Sequence, residues 1–260
     1  MSRRPLQVII GYDPHEAVAY HVLSHSIMRR ASRPVSITPL YLPQLRQMGA
    51  YTRERGPTES TEFSITRFLT PWLAGFEGVS IFCDCDMLMR ADICELEDIA
   101  LADPYTDVFV VQHDYIPKTG YKFLGHYQAA YPKKNWSSLM VFNGHRYPVR
   151  SLVPQYVNAA NPSDLHQFKW THNVGSLPRE WNHLVGEYGH NPEAKLVHFT
   201  MGGPWFADYQ FCEFSQEWRA EAANALTTDN RVYTMPVGGN EHGDVQGCDR
   251  PDSAGLPEQV

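Results

Sequence analysis

The feature that most limits the fold is a set of short runs that are apolar without alternation. Leu6–Gly11 is one, rich in β-branched side chains, and Val79–Cys83, Val108–Gln112 and Leu139–Phe142 are others. A strand with one wet face alternates polar and apolar residues; a strand covered on both faces does not. These runs are therefore expected to be buried strands of a sheet flanked by helices. Helical signals fall between them. Asp13-Pro14-His15-Glu16 has the order of a capping box, with Asp as N-cap, Pro first in the helix and Glu third. Ala19, Leu23 and Ile27 then recur on one helical face. Strands alternating with helices predict an α/β fold with a mainly parallel sheet. Ligands of such sheets sit beyond the carboxyl ends of the strands.

Elsewhere the pattern predicts a strand over Val35–Leu42 and a helix over Glu62–Leu73. A late strand is expected over Lys195–Phe199 and a helix over Tyr209–Leu226. Between them Pro43–Thr61 is polar and carries Arg46, Arg53 and Arg55. It is expected to be a long surface loop with a functional role. From Pro236 onward Gly, Asp and Pro dominate, as in a loose tail. The 260 residues then divide into one α/β domain, 1–235, and a tail, 236–260.

Composition excludes some partners. The net charge is -7, which disfavours a chain that grips nucleic acid by its phosphates. Cys83, Cys85, Cys94, Cys212 and Cys248 form no zinc-type pair, and their odd number argues against a disulfide framework. No apolar stretch approaches the length of a secretory signal or a membrane span. The expectation is a cytoplasmic protein with reduced thiols and no transmembrane segment. The oligomeric state is not legible.

The sharpest chemical signal is Ser80-Ile81-Phe82-Cys83-Asp84-Cys85-Asp86. An apolar strand runs straight into two aspartates. If strand geometry persists, both carboxylates point to one side and both thiols to the other. Two adjacent carboxylates repel and are costly to bury. A divalent cation removes that conflict, and oxygen ligands suit Mg²⁺ or Mn²⁺. The plain alternative is a turn with solvated aspartates. Downstream, Lys195-Leu196-Val197-His198-Phe199-Thr200-Met201-Gly202-Gly203-Pro204-Trp205 ends a strand at a histidine, a ligand that Mn²⁺ accepts. The glycines that follow let backbone N–H groups approach a phosphate.

The order of these motifs resembles glycosyltransferases of the GT-A fold, with its Rossmann-like mixed, mainly parallel sheet flanked by helices, and most of all glycosyltransferase family 8, the glycogenin and bacterial galactosyltransferase group; a lipid-linked acceptor would make such a chain peripheral at a membrane. Ile9-Ile10-Gly11-Tyr12-Asp13 resembles its opening nucleotide-binding strand, Ile65-Thr66-Arg67-Phe68 its arginine-bearing helix, and Val79 to Ile93 its DxD strand. Lys134 to Asn143 resembles its sugar-pocket strand and His198 to Trp205 its closing segment. The resemblance implies a metal-dependent transfer of a sugar, with retention, from a UDP-linked donor to a hydroxyl of a glycan, lipid-linked or protein acceptor. It implies Mn²⁺ or Mg²⁺ on Asp84, Asp86 and His198. It places Gly11, Tyr12 and Asp13 at the nucleotide and Arg67, Asp84, Cys85, Gly202 and Gly203 around the diphosphate. Asn135, Ser137 and Ser138 would lie at the donor sugar, and Asp86 and Arg67 would act in catalysis. Two features depart from the family pattern. Gly203 stands where the family has a Lys before Pro-Trp. The Asp-Gln pair near the reaction centre is replaced by Trp170-Thr171-His172-Asn173, which puts His172 and Asn173 there.

Local readings compete with several of these roles. Capping alone explains Asp13, and Trp136, Trp170 and Trp181 are core residues as readily as a sugar platform. Lys133-Lys134 is a solvated pair by default, and His113-Asp114-Tyr115 follows a strand without an assigned role. Two other functions stay open. A haloacid-dehalogenase-like phosphatase also ends a strand in Asp-x-Asp, and Gly243-Asp244 with Asp249 mimics its late acidic motif. A nucleotide-sugar-binding protein without catalysis would keep the same pocket.

Overall fold

The structure, a computed structural model, describes residues 4–56, 59–114 and 132–226. The tail 236–260, with Asp244, Cys248 and Asp249, lies outside the described residues, and so does Tyr115.

The strands are β1 (Leu6–Gly11), β2 (Val35–Leu40), β3 (Val79–Cys83), β4 (Met87–Met89), β5 (Val108–Val110), β6 (Leu139–Asn143), β7 (Val174–Ser176), β8 (His183–Leu184) and β9 (Leu196–His198). Six of them form one sheet in the order β2-β1-β3-β6-β5-β7. The pairs β1–β2, β1–β3 and β5–β7 are parallel, and β6 runs antiparallel to both β3 and β5. The sheet is thus mixed and mainly parallel; the unalternated apolar runs predict its buried parallel strands, and the GT-A resemblance its mixed character. Val8, Ile10, Ile81, Phe82, Val108 and Val141 are all fully buried. Since β1, β3, β5 and β7 point the same way, their carboxyl ends share one edge of the sheet. The start of β6, which runs the other way, lies at that edge too.

The helices are α1 (Ala17–Arg30), α2 (Leu42–Gln47), α3 (Thr70–Leu73), α4 (Cys94–Ala102), α5 (Tyr147–Arg150), α6 (Pro154–Ala159), α7 (Pro162–His166) and α8 (Ser215–Leu226). Ala19, Leu23 and Ile27 are the buried stripe of α1, as their spacing predicts. Four expectations need correction. Strand β2 stops at Leu40, because Pro43 sits in the first turn of α2 with its φ already helical. The stretch Pro43–Thr61 is therefore partly helix. Its Arg53 is structural, donating to the carbonyls of Val157, Asn158 and Ala160 around the end of α6. The helix expected over Glu62–Leu73 is a 3₁₀ turn, Thr66–Leu69, followed by α3, with Pro71, which has no N–H, at the junction. The last helix starts at Ser215, not Tyr209, since Phe214 takes a left-handed φ of 60° that a helix cannot continue through.

A second, three-stranded sheet, β4-β9-β8, has no counterpart in the sequence reading beyond the late strand itself.

Helix α8 is joined to α1 through a buried acid. Glu221 faces His25 Nδ1 at 2.6 Å, Arg30 at 2.9 Å and Arg29 at 3.5 Å. Burial alone would raise its pKa, but the hydrogen bond and charge of Arg30, with His25 and Arg29, outweigh that and hold it below its ordinary value. A depressed carboxylate stabilises the fold fully above its unfolded pKa, and that contribution is lost as pH falls through the folded one. Glu221→Gln is expected to lower Tm at neutral pH and to make the acid limb of the Tm–pH curve shallower below the ordinary value of 4.5. Parallel curves for the two proteins would remove Glu221 from that role.

Candidate functional site

Asp84 and Asp86 lie in the bend between β3 and β4. Strand geometry does not persist there, yet both carboxylates converge with the His198 ring. One ligand atom from each residue lies within 4.8 Å of the others. Sheet register is the cause. Strand β4 pairs antiparallel with β9, placing Met87 opposite His198. The Phe199 N–H then donates to the Asp86 carbonyl at 2.9 Å.

Arg67 completes the cluster from the 3₁₀ turn. Its guanidinium carbon lies 5.3 Å and 5.0 Å from the centroids of the Phe63 and Phe82 rings. Nη1 is 2.8 Å from Asp84 Oδ1 and donates to the Ser137 carbonyl at 2.9 Å. Arg67 thus braces the DxD bend against the segment that enters β6. Asp84 N–H donates to the Ser138 carbonyl at 2.9 Å, reinforcing the same join.

The donor set fits a divalent cation. Asp86 Oδ1 and His198 Nε2 are 3.4 Å apart. Neighbouring ligands on a cation bound at about 2.1 Å stand about 3 Å apart. Two carboxylates and an imidazole suit Mn²⁺ or Mg²⁺ better than a thiol-loving metal. The surroundings are strongly negative. Glu16, on the turn after β1, is buried, and its pKa is pushed up to about 9 by burial first and then by Asp86, Asp13 and Asp84.

This corrects the reading of Glu16 as a capping-box partner. Asp13 does cap, accepting from the His15 N–H at 3.0 Å, but the Glu16 carboxyl is buried beside the acidic cluster. Between pH 4.5 and 9 the folded chain holds a proton on Glu16 that the unfolded chain has lost. Stability therefore falls as pH rises through that window. Glu16→Gln is expected to raise Tm at pH 8 and flatten the decline; a Tm–pH slope equal to the parent's would count against it.

Other expected residues sort by place. Asp13 Oδ2 accepts from the Glu62 N–H at 3.2 Å, and Oδ1 takes the His15 ring at 2.8 Å. Tyr12 meets Tyr20 and Tyr41 edge-on. Gly11 is glycine for packing, since a Cβ there would lie 2.5 Å from the Phe63 ring. Asn135 is left-handed, with φ 62°, and with Ser137 and Ser138 it sits at the same edge as Asp84. Gly202 needs its φ of 136°, and a Cβ would meet the Tyr209 ring at 2.7 Å.

Three assignments are not supported by these positions. The Gly202 N–H donates to the Phe199 carbonyl at 2.8 Å, so of the two glycine amides only that of Gly203 is without a partner among the described residues. The Cys85 side chain is fully buried, and burial raises its thiol pKa, so it faces the core. His172 and Asn173 precede β7 and lie at the opposite edge of the sheet. There the Asn173 side chain donates to the Tyr105 carbonyl at 2.8 Å. Trp170 and Trp181 are core residues, while Trp136 donates to the His113 carbonyl at 3.0 Å. Lys133 donates to the Gln167 carbonyl at 2.8 Å, and Lys134 is buried rather than solvated.

Of two further side chains at this edge, the sequence reading names His113 without a role and does not name Asn182. Asn182 holds the His198 ring, and no spacing rule links a residue to one 16 positions on. His113, after β5, bonds the Tyr188 hydroxyl at 2.7 Å; burial, then His198 and Arg179, push its pKa down to about 3.

No family model matches the chain. Protein CDI of Arabidopsis thaliana is 45% identical to it over 227 residues, which cover 85% of this chain and 87% of that protein. The chain belongs to the Protein CDI family. Solved structures extend the comparison of this Protein CDI relative to fold alone. The bifunctional glycosyltransferase WbbM aligns with TM-score 0.59 and 17% identity over 85% of this chain and 50% of that one. The glycosyltransferase GlyE of Streptococcus pneumoniae aligns with TM-score 0.56 and 12% identity over 85% and 60%. An active-site mutant of LgtC aligns with TM-score 0.50 and 12% identity over 87% and 98%. The chain thus spans half of WbbM and three-fifths of GlyE. Its fold is the GT-A-like fold of these glycosyltransferases.

Proposed function

We propose that the chain is a metal-dependent glycosyltransferase of the family 8 type, moving a hexosyl unit with retention from a UDP-linked donor to an acceptor hydroxyl. The observation that carries this reading is the convergence of Asp84, Asp86 and His198 at the carboxyl edge of a glycosyltransferase-like sheet. A Mn²⁺ or Mg²⁺ ion held by these three residues supplies a Lewis acid for the negative charge that grows on a departing diphosphate. Arg67 keeps Asp84 in place, and the Gly203 N–H offers a fixed dipole to a phosphate oxygen. Gly11, Tyr12 and Asp13 flank the nucleotide, and Asn135, Ser137 and Ser138 line the donor sugar. The acceptor is a glycan, a lipid-linked sugar or a protein. Among the described residues no helix is long and apolar enough to cross a membrane.

The test is UDP release from a panel of UDP-hexoses with Mn²⁺ and no acceptor. Slow hydrolysis of one donor, stopped by EDTA, is expected. UDP binding without any turnover, once acceptors are supplied, would favour the binding-protein reading. Release of phosphate from an aryl phosphate would favour the phosphatase.

A further inference from the structure

A metal-binding histidine must present a lone pair, and the proton on its other nitrogen decides which atom can do so. The hydrogen bonds around His198 settle this by proton inventory. Asn182 is fully buried. Its side chain lies 3.0 Å from His198 Nδ1 on one side. On the other, its amide nitrogen is 2.8 Å from Ser138 Oγ and 3.4 Å from the Asn135 carbonyl. The Asn135 carbonyl only accepts, and the Ser138 hydroxyl proton already goes to it at 2.7 Å. The Asn182 NH₂ must therefore face Ser138 and Asn135. Its carbonyl oxygen must face His198, so Nδ1 carries the proton there. That leaves Nε2, 3.4 Å from Asp86 Oδ1, as the lone-pair atom of the neutral ring.

We propose that Asn182 is the positioning residue that fixes His198 in its Nδ1–H form and so makes Nε2 a ligand alongside Asp84 and Asp86. The proposal rests on the cation-binding reading of that cluster. It also joins two parts of the site, since the same amide anchors the Asn135–Ser138 segment. A change in how that segment sits is transmitted to the imidazole through one side chain.

The experiment measures Mn²⁺ affinity by calorimetry and nitrogen coupling to bound Mn²⁺ by pulsed electron paramagnetic resonance, on the whole chain. Wild type is expected to bind Mn²⁺ with one imidazole coupling. Asn182→Leu removes the acceptor, and is expected to weaken Mn²⁺ about 10- to 100-fold and to lose the coupling. Asn182→Asp keeps an acceptor for Nδ1–H but loses the amide donor, so coupling and affinity are expected to persist even where Tm falls. A role confined to holding Ser138 would make the Asp variant as defective in metal binding as the Leu variant, and that result would overturn the proposal. So would wild-type affinity and coupling in a folded Leu variant. If the Leu variant does not fold, the Asp variant decides alone, retained coupling supporting the proposal and lost coupling overturning it. A wild-type chain that binds no Mn²⁺ overturns the cation reading itself and the proposal with it, whereas wild-type binding without nitrogen coupling overturns the proposal alone.

Discussion

Asp86→Ala is expected to abolish Mn²⁺-dependent UDP binding while the chain stays folded. The substitution removes a carboxylate from a three-residue donor set but leaves the Asp86 carbonyl, which accepts the Phe199 N–H and keeps β4 on β9. It also relieves repulsion, since Asp86 is the leading charge that raises Glu16. Loss of a partner that merely orients a ligand costs about 10- to 100-fold in metal affinity, so loss of a ligand itself should cost at least about 100-fold. Calorimetry of UDP with and without Mn²⁺ reads this directly. A folded variant with the parent's affinity would take Asp86 out of the site. His198→Ala should show a smaller loss, because two carboxylates remain.

The second large effect belongs to the Arg67–Asp84 pair. Arg67 is buried, stacked on two phenylalanines and paired with Asp84 at 2.8 Å. Breaking a buried pair from one side leaves a desolvated charge and costs about 3–5 kcal/mol. Arg67→Met should therefore destabilise strongly, leaving Asp84 beside Asp86 with neither guanidinium nor cation. Mn²⁺ should restore part of that loss, by mass action on the folded state. Asp84→Ala strands the guanidinium instead, and Mn²⁺ should restore little. The double variant should lose less than the sum of the singles, since each residue's main penalty is the other. Urea unfolding of the four proteins, each with and without Mn²⁺, measures the cycle. Additive losses would show that the two charges do not depend on each other.

Much of the sheet was legible because burial on both faces writes itself into a strand as missing alternation. Leu6–Gly11 and Val79–Cys83 are read to the residue for that reason. The DxD bend was legible as charge set against an apolar strand. Elements held by proline and by local turns were not. Glu62–Leu73 has helical composition, but Pro71 divides it, and propensity is silent on where an i−4 ladder breaks. The misplacement of His172 and Asn173 is of another kind. Order along the chain puts them near the reaction centre, whereas β7 enters the sheet beside β5 with its start at the far edge. Glu16 and Asn182 were illegible because their roles depend on burial and on contacts made across the fold.

The small sheet also has a consequence for the order in which the protein becomes competent. Strands β1 to β7 and the DxD bend are complete once Ser176 has been made, but His198 arrives about a score of residues later, on β9. A nascent or truncated chain that stops between these points holds the larger sheet's strands and the Arg67–Asp84 pair, but lacks the His198 imidazole beside Asp86. In N-to-C synthesis the proposed cation site is thus complete only after every strand of the larger sheet has been made.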